Sequence, residues 1–133
     1  MIRRFGKLVR VASAAVGILI AAGGCAVACP LGIDYGLEVE VFDALTNAPL
    51  AAEAVGRVYA GETVVDSLEV AGPPAADARR LVAMRVGAGR YTVRITREGY
   101  VPWEQADVIV RHSGGDCGGL RTRELQAALQ PLK

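Results

Sequence analysis

The chain has a single histidine, His112, one tryptophan and two phenylalanines among 133 residues, and aromatic residues make up only 5% of it. One imidazole leaves no second histidine to act as base or ligand, and no C-x-x-C, H-E-x-x-H or G-x-S-x-G occurs. Zinc ribbons, zincin-type hydrolases and serine hydrolases with a nucleophile elbow are therefore excluded, and no cofactor or metal is expected. So few aromatics also argue against a developed stacking platform for sugars or bases. The formal net charge is +1, without the basic excess that phosphate backbones demand, so nucleic acid is not an expected partner. The apolar core over 11–22 is shorter than the ~20 apolar residues of a bilayer-spanning helix.

What the chain does have is a charged and then apolar beginning. Arg3, Arg4, Lys7 and Arg10 precede a 12-residue apolar core, 11–22, which gives way to small residues and cysteines. Basic start, short apolar core and small-residue exit form an export leader. Its removal takes away four positive charges and no negative ones, turning a formal +1 into −3. The exported remainder is mildly acidic and long enough to bury one core without help from a metal or a second subunit.

Where the leader is cut decides between a free and an anchored protein. Leu19 to Cys25 resembles the end of a bacterial lipoprotein signal, with small residues before a cysteine that is diacylated and becomes the first residue. Ala22 stands where such signals usually carry leucine. Two alternatives compete: ordinary cleavage after Ala28, which satisfies the A-x-A rule, and lipidation of Cys29. Cys25 is favoured because it follows the apolar core almost directly. The expected organisation is a signal over 1–24, an anchor and linker over 25–34 and one domain over 35–133, attached to a membrane by its lipid. With Cys25 acylated, Cys29 and Cys117 remain as a pair that an oxidising compartment would bridge, closing a loop of nearly 90 residues. In the entropic model such a bridge restricts the unfolded chain by about 4–5 kcal/mol.

Charge is distributed unevenly along the domain. Between Cys25 and Ala78 lie nine acids and one base, Arg57; from Arg79 to Lys133 lie ten bases and five acids. Two explanations follow: strands from the two halves pair opposite charges across a sheet, or the surface is two-signed and receives a charged partner. The first is the simpler.

Strict alternation at Leu37, Val39 and Val41 predicts a half-buried strand, and the turn formers of residues 43–49 end it. Residues 54–60 and 63–70 read as strands joined at Gly61-Glu62, and the proline-bearing stretch 71–80 as an exposed connection. A strand over 81–86 leads through Gly87-Ala88-Gly89 into the clearest amphipathic strand, with Tyr91, Val93 and Ile95 on one face. Residues 101–111 form another strand with Pro102 at its edge, placing Val108 and Val110 inside. Residues 120–129 suit either a helix or a strand; the alternation of Leu125, Ala127 and Leu129 favours the strand. About seven short strands without a convincing helix predict an all-β, antiparallel two-sheet sandwich.

Two segments carry a family resemblance. Val39-Glu40-Val41-Phe42-Asp43-Ala44-Leu45-Thr46-Asn47-Ala48-Pro49-Leu50 resembles the opening V-x-V-x-D-x-x-T-G-x-P-L of carboxypeptidase regulatory-like domains, which are transthyretin-like β-sandwiches. Gly89 to Tyr100 is similar to their G-x-Y-x-V-x-V-x-x-x-G-Y strand and corner. Asn47 replaces the usual glycine, which asparagine can do because it too accepts left-handed backbone. The resemblance spans residues 37–129 and implies a non-catalytic accessory module. Transthyretin-like folds also include a hydrolase of a urate breakdown product, but it relies on histidines and a C-terminal tail that this chain lacks.

Two roles follow. One is a lipid-anchored structural or protein-interaction module of the cell envelope. The alternative is a binder of a small ligand or glycan, using loops 71–80, 97–103 and 111–119 at one end of the sandwich. These loops make Arg79, Arg80, Trp103, Arg111 and His112 the candidate partner contacts. Trp103 is more simply a core or rim aromatic, and His112 beside Arg111 more simply a solvated strand end.

Overall fold

The computed structural model describes residues 35–114 and 118–133. Its regular elements are strands: β1 Leu37–Asp43, β2 Val55–Ala60, β3 Thr63–Val70, β4 Arg80–Ala83, β5 Gly89–Thr96, β6 Trp103–His112, β7 Leu120–Arg121 and β8 Arg123–Leu129. One 3₁₀ turn, Ala51–Glu53, precedes β2. Among the described residues there is no α-helix, and the all-β expectation holds.

The strands form one eight-stranded sheet in the order β7-β6-β5-β2-β3-β4-β1-β8. Its two ends belong to β7 and β8, yet only Thr122 separates these strands in the chain. Because each residue spans at most about 3.6 Å, the two edges must lie close together and the sheet curls into a nearly closed, barrel-like arrangement. β6 accordingly approaches β8 directly. The break at Thr122 corrects the reading of residues 120–129 as a single strand: its first two residues pair with β6, and the rest pairs with β1.

Every pairing is antiparallel except β1 with β8, which run parallel from Leu37 opposite Arg123 to Asp43 opposite Leu129. This departs from a wholly antiparallel arrangement. It arises because β8 starts beside the start of β1, where Arg123 N donates to Gly36 O at 2.9 Å.

The alternation in the sequence becomes the core. In β1 every second residue is buried, and Leu37, Val39 and Val41 are fully so. They join Val93 and Ile95 of β5, Val108 and Val110 of β6, and Leu125, Ala127 and Leu129 of β8 in one cluster. Tyr91, expected inside, is half-buried: it sits near the start of β5 and its hydroxyl donates to Gly87 O at 2.9 Å, at the rim. The strand expected over 81–86 stops at Ala83, leaving Met84 exposed while Val86 still tucks into the core. β6 carries a bulge against β5, where Asp107 takes φ 56° and the register shifts.

Gly56 is where strands come closest inside. A Cβ there would run into Leu68 Cδ1 and lie 2.8 Å from Leu68 Cβ and 3.0 Å from Ile95 Cδ1. Only glycine lets β2 lie this close to those side chains.

Candidate functional site

The titratable groups with the most distinctive surroundings are Asp43 and Tyr100. β1 ends at Asp43, whose Oδ1 accepts from the backbone N–H of Leu45 at 2.8 Å and of Thr46 at 3.0 Å. This side-chain turn lets the chain reverse, and Asn47 completes the reversal with φ 62°. The other carboxylate oxygen, Oδ2, accepts from the Tyr100 hydroxyl at 2.7 Å. Tyr100 is aimed there by Gly99, whose φ of 85° makes the corner after β5, and by its own N–H donating to Arg97 O at 3.1 Å. The Arg97 guanidinium lies 5.7 Å from the Tyr100 ring centre and reaches Glu53 at 3.2 Å.

Hydrogen bonds from Thr46, Tyr100 and Leu45 favour the charged carboxylate and hold Asp43 below its usual pKa. The same bond, together with partial burial and the negative charge of Asp43, raises Tyr100 above the ordinary tyrosine value. Near neutrality the carboxylate stays ionised and the phenol stays protonated. Both shifts move away from neutrality, and the bond fastens the end of β1 to the corner after β5.

The candidate partner residues divide among separate places. Arg79 is a clasp: Nε meets Glu40 at 2.7 Å, Nη1 donates to Asn47 O at 3.0 Å and Nη2 to Asn47 Oδ1 at 2.6 Å. Its guanidinium also lies 5.5 Å from the Phe42 ring centre. Arg80 pairs with Glu38 at 3.2 Å. Trp103 is half-buried against the core, opposite Ile95. Arg111 and His112 end β6 and are exposed, opposite Arg121 and Leu120.

The three loops do not gather at one end, which corrects that expectation. Residues 71–79 and 97–102 both flank the Asp43 end, where Val41 N donates to Arg79 O and Val101 N to Gln130 O, each at 2.8 Å. The ten-residue strand β6 then carries the chain away, about 3.3 Å per residue, so Ser113 and Gly119 lie at the opposite end.

Part of the uneven charge resolves as ion pairs between the two halves, of which Glu38 with Arg80 joins neighbouring strands. Glu40 with Arg79, Glu38 with Arg80 and Glu53 with Arg97 each join an acid of the first half to a base of the second. Left over at the far end is a groove of about 490 Å³ lined by Ile109, Arg111, Arg121, Thr122, Arg123 and Glu124. Arg121 and Arg123 did not figure among the candidates; their i, i+2 spacing beside a strand was the available signal.

Among the described residues no three of His, Cys, Asp and Glu lie close enough to hold a metal ion. The lipidation candidates Cys25 and Cys29 and the bridge from Cys29 to Cys117 lie outside the described residues. No family model and no curated protein matches the chain.

Proposed function

We propose that the protein is an exported, lipid-anchored, non-catalytic β-sandwich module of the transthyretin-like, carboxypeptidase regulatory-like kind, with a structural or protein-interaction role at the cell envelope. The observation that carries this reading is the bond from Tyr100 to Asp43. It joins the two segments on which the family resemblance rests and gives both a structural role, the first supplying the capped turn and the second the corner that closes on it. Asn47 at φ 62° fits the left-handed position where the family has glycine. The two-layer description draws support from the shared core, to which β1, β5, β6 and β8 all contribute buried side chains.

Export and anchoring rest on the leader and on Cys25, which follows it immediately. Two acyl chains on one cysteine suffice for stable attachment, at about 0.8 kcal/mol per buried methylene. The intact mass of the membrane-extracted protein tests the reading: a chain starting at diacylated Cys25 is expected, and one starting at unmodified Cys29 overturns the anchor.

A further inference from the structure

We propose that the groove of Arg111, Arg121 and Arg123 seats the domain on the anionic headgroups of the membrane that holds its lipid anchor; the inference rests on the lipid-anchored reading above. Arg111 and Arg121 stand directly opposite each other in the β6–β7 pair, an arrangement that repels in the isolated domain. Arg79, Arg80, Arg90 and Arg97 all have carboxylates within 4.0 Å, whereas among the described residues none of the three groove arginines does. Glu124 is the one acid in the lining. Guanidinium forks lining one groove match the oxygens of a phosphodiester.

What selects a membrane as the occupant is where the chain from the anchor arrives. Thr122 Oγ1 donates to Tyr35 O at 2.7 Å and Arg123 N to Gly36 O at 2.9 Å. The segment leading from Cys25 therefore joins the domain between Arg121 and Arg123. Nine residues lie between Cys25 and Tyr35, and the ten steps reach at most about 36 Å. A lipid at one end of this tether keeps the arginine end of the domain within that reach of the bilayer, where anionic headgroups attract each arginine within a Debye length. A second like-charged pair, Arg57 opposite Arg94 on β2 and β5, has no such tether contact and serves as the internal control.

The test uses the mature chain, leader removed and Cys25→Ser so that no acyl group contributes; among the described residues the buried cluster is drawn from residues 37–129, all of which this chain keeps. Flotation with phosphatidylglycerol-containing vesicles should show binding that fades with salt and is absent from pure phosphatidylcholine. R111Q, R121Q and R123Q should each weaken it about fivefold and R121Q/R123Q about thirtyfold, with unchanged thermal midpoints. R57Q/R94Q, which removes the same charge elsewhere, should stay within about threefold of the parent. Equal loss in R57Q/R94Q, equal binding to neutral vesicles, no binding at all, or displacement by millimolar inorganic phosphate each overturns the proposal. Failure here leaves the intact mass at Cys25 untouched, and an unmodified Cys25 leaves the vesicle result untouched, so the two readings fail separately.

Discussion

Tyr100 and Asp43, 57 residues apart in the chain, are held 2.7 Å apart from hydroxyl to carboxylate. The contact fastens the corner after β5 to the end of β1. Tyr100→Phe keeps the ring and its stacking with Arg97 but removes the donor, leaving Asp43 Oδ2 without its partner. A thermal midpoint lower by about 4–8 °C is expected for a domain of this size, read by circular dichroism. An unchanged midpoint would show that water replaces the hydroxyl at no cost.

The same pair sets a pH signature. Asp43 has its pKa depressed in the folded state, so its contribution to stability is present above the ordinary value of 3.8 and is lost as pH falls below it. Tyr100 has its pKa raised, so its contribution is complete below the ordinary value of 10.0 and is lost as pH climbs past it. Urea midpoints measured across pH should fall at both extremes. Asp43→Asn should flatten the acid limb below about pH 4, and Tyr100→Phe should flatten the alkaline limb.

Two core substitutions separate overpacking from cavity formation. Gly56→Ala pushes a methyl against Leu68 and Ile95 and should destabilise by about 1–3 kcal/mol. Val93→Ala leaves a void at a fully buried position, also at a cost of about 1–3 kcal/mol. Combining Gly56→Ala with Leu68→Ala should recover part of the first loss, because Leu68 is the side chain that the new methyl strikes. Denaturant unfolding of the single and double variants reads all three.

The faces of the strands were legible in the sequence and their neighbours were not. Alternation at Leu37, Val39 and Val41, and at Leu125, Ala127 and Leu129, encodes which side is buried, because side chains alternate with a period of two. Nothing in that period says that β1 and β8 run parallel, or that the chain changes edges at Thr122, since both depend on contacts distant in sequence. The motif residues Asp43 and Tyr100 were visible separately. Their bond was hidden for the same reason, and so was the separation of the loops before and after β6. Arg111 was visible as a charged strand end, but its convergence with Arg121 and Arg123 needed the pairing register.

The bridge proposed between Cys29 and Cys117 draws support from the described residues that flank both cysteines. Leu120 packs against Gly36, where a Cβ would lie 3.4 Å from its Cδ1. Cys117 precedes Leu120 by three residues and Cys29 precedes Gly36 by seven. At no more than about 3.6 Å per residue, seven residues reach up to about 25 Å, well beyond what bringing two α-carbons within about 6.8 Å requires. The bond would close the domain at the end where the anchor joins it. Alkylation of the unreduced, denatured protein should leave both thiols unlabelled, and a reductant should expose both and lower the thermal midpoint. Labelling of Cys117 without reductant shows a free thiol and removes the bridge. The Cys29→Ser and Cys117→Ser single variants then discriminate further: with a bridge present, each loses about as much stability as the double variant, whereas independent thiols give losses that add.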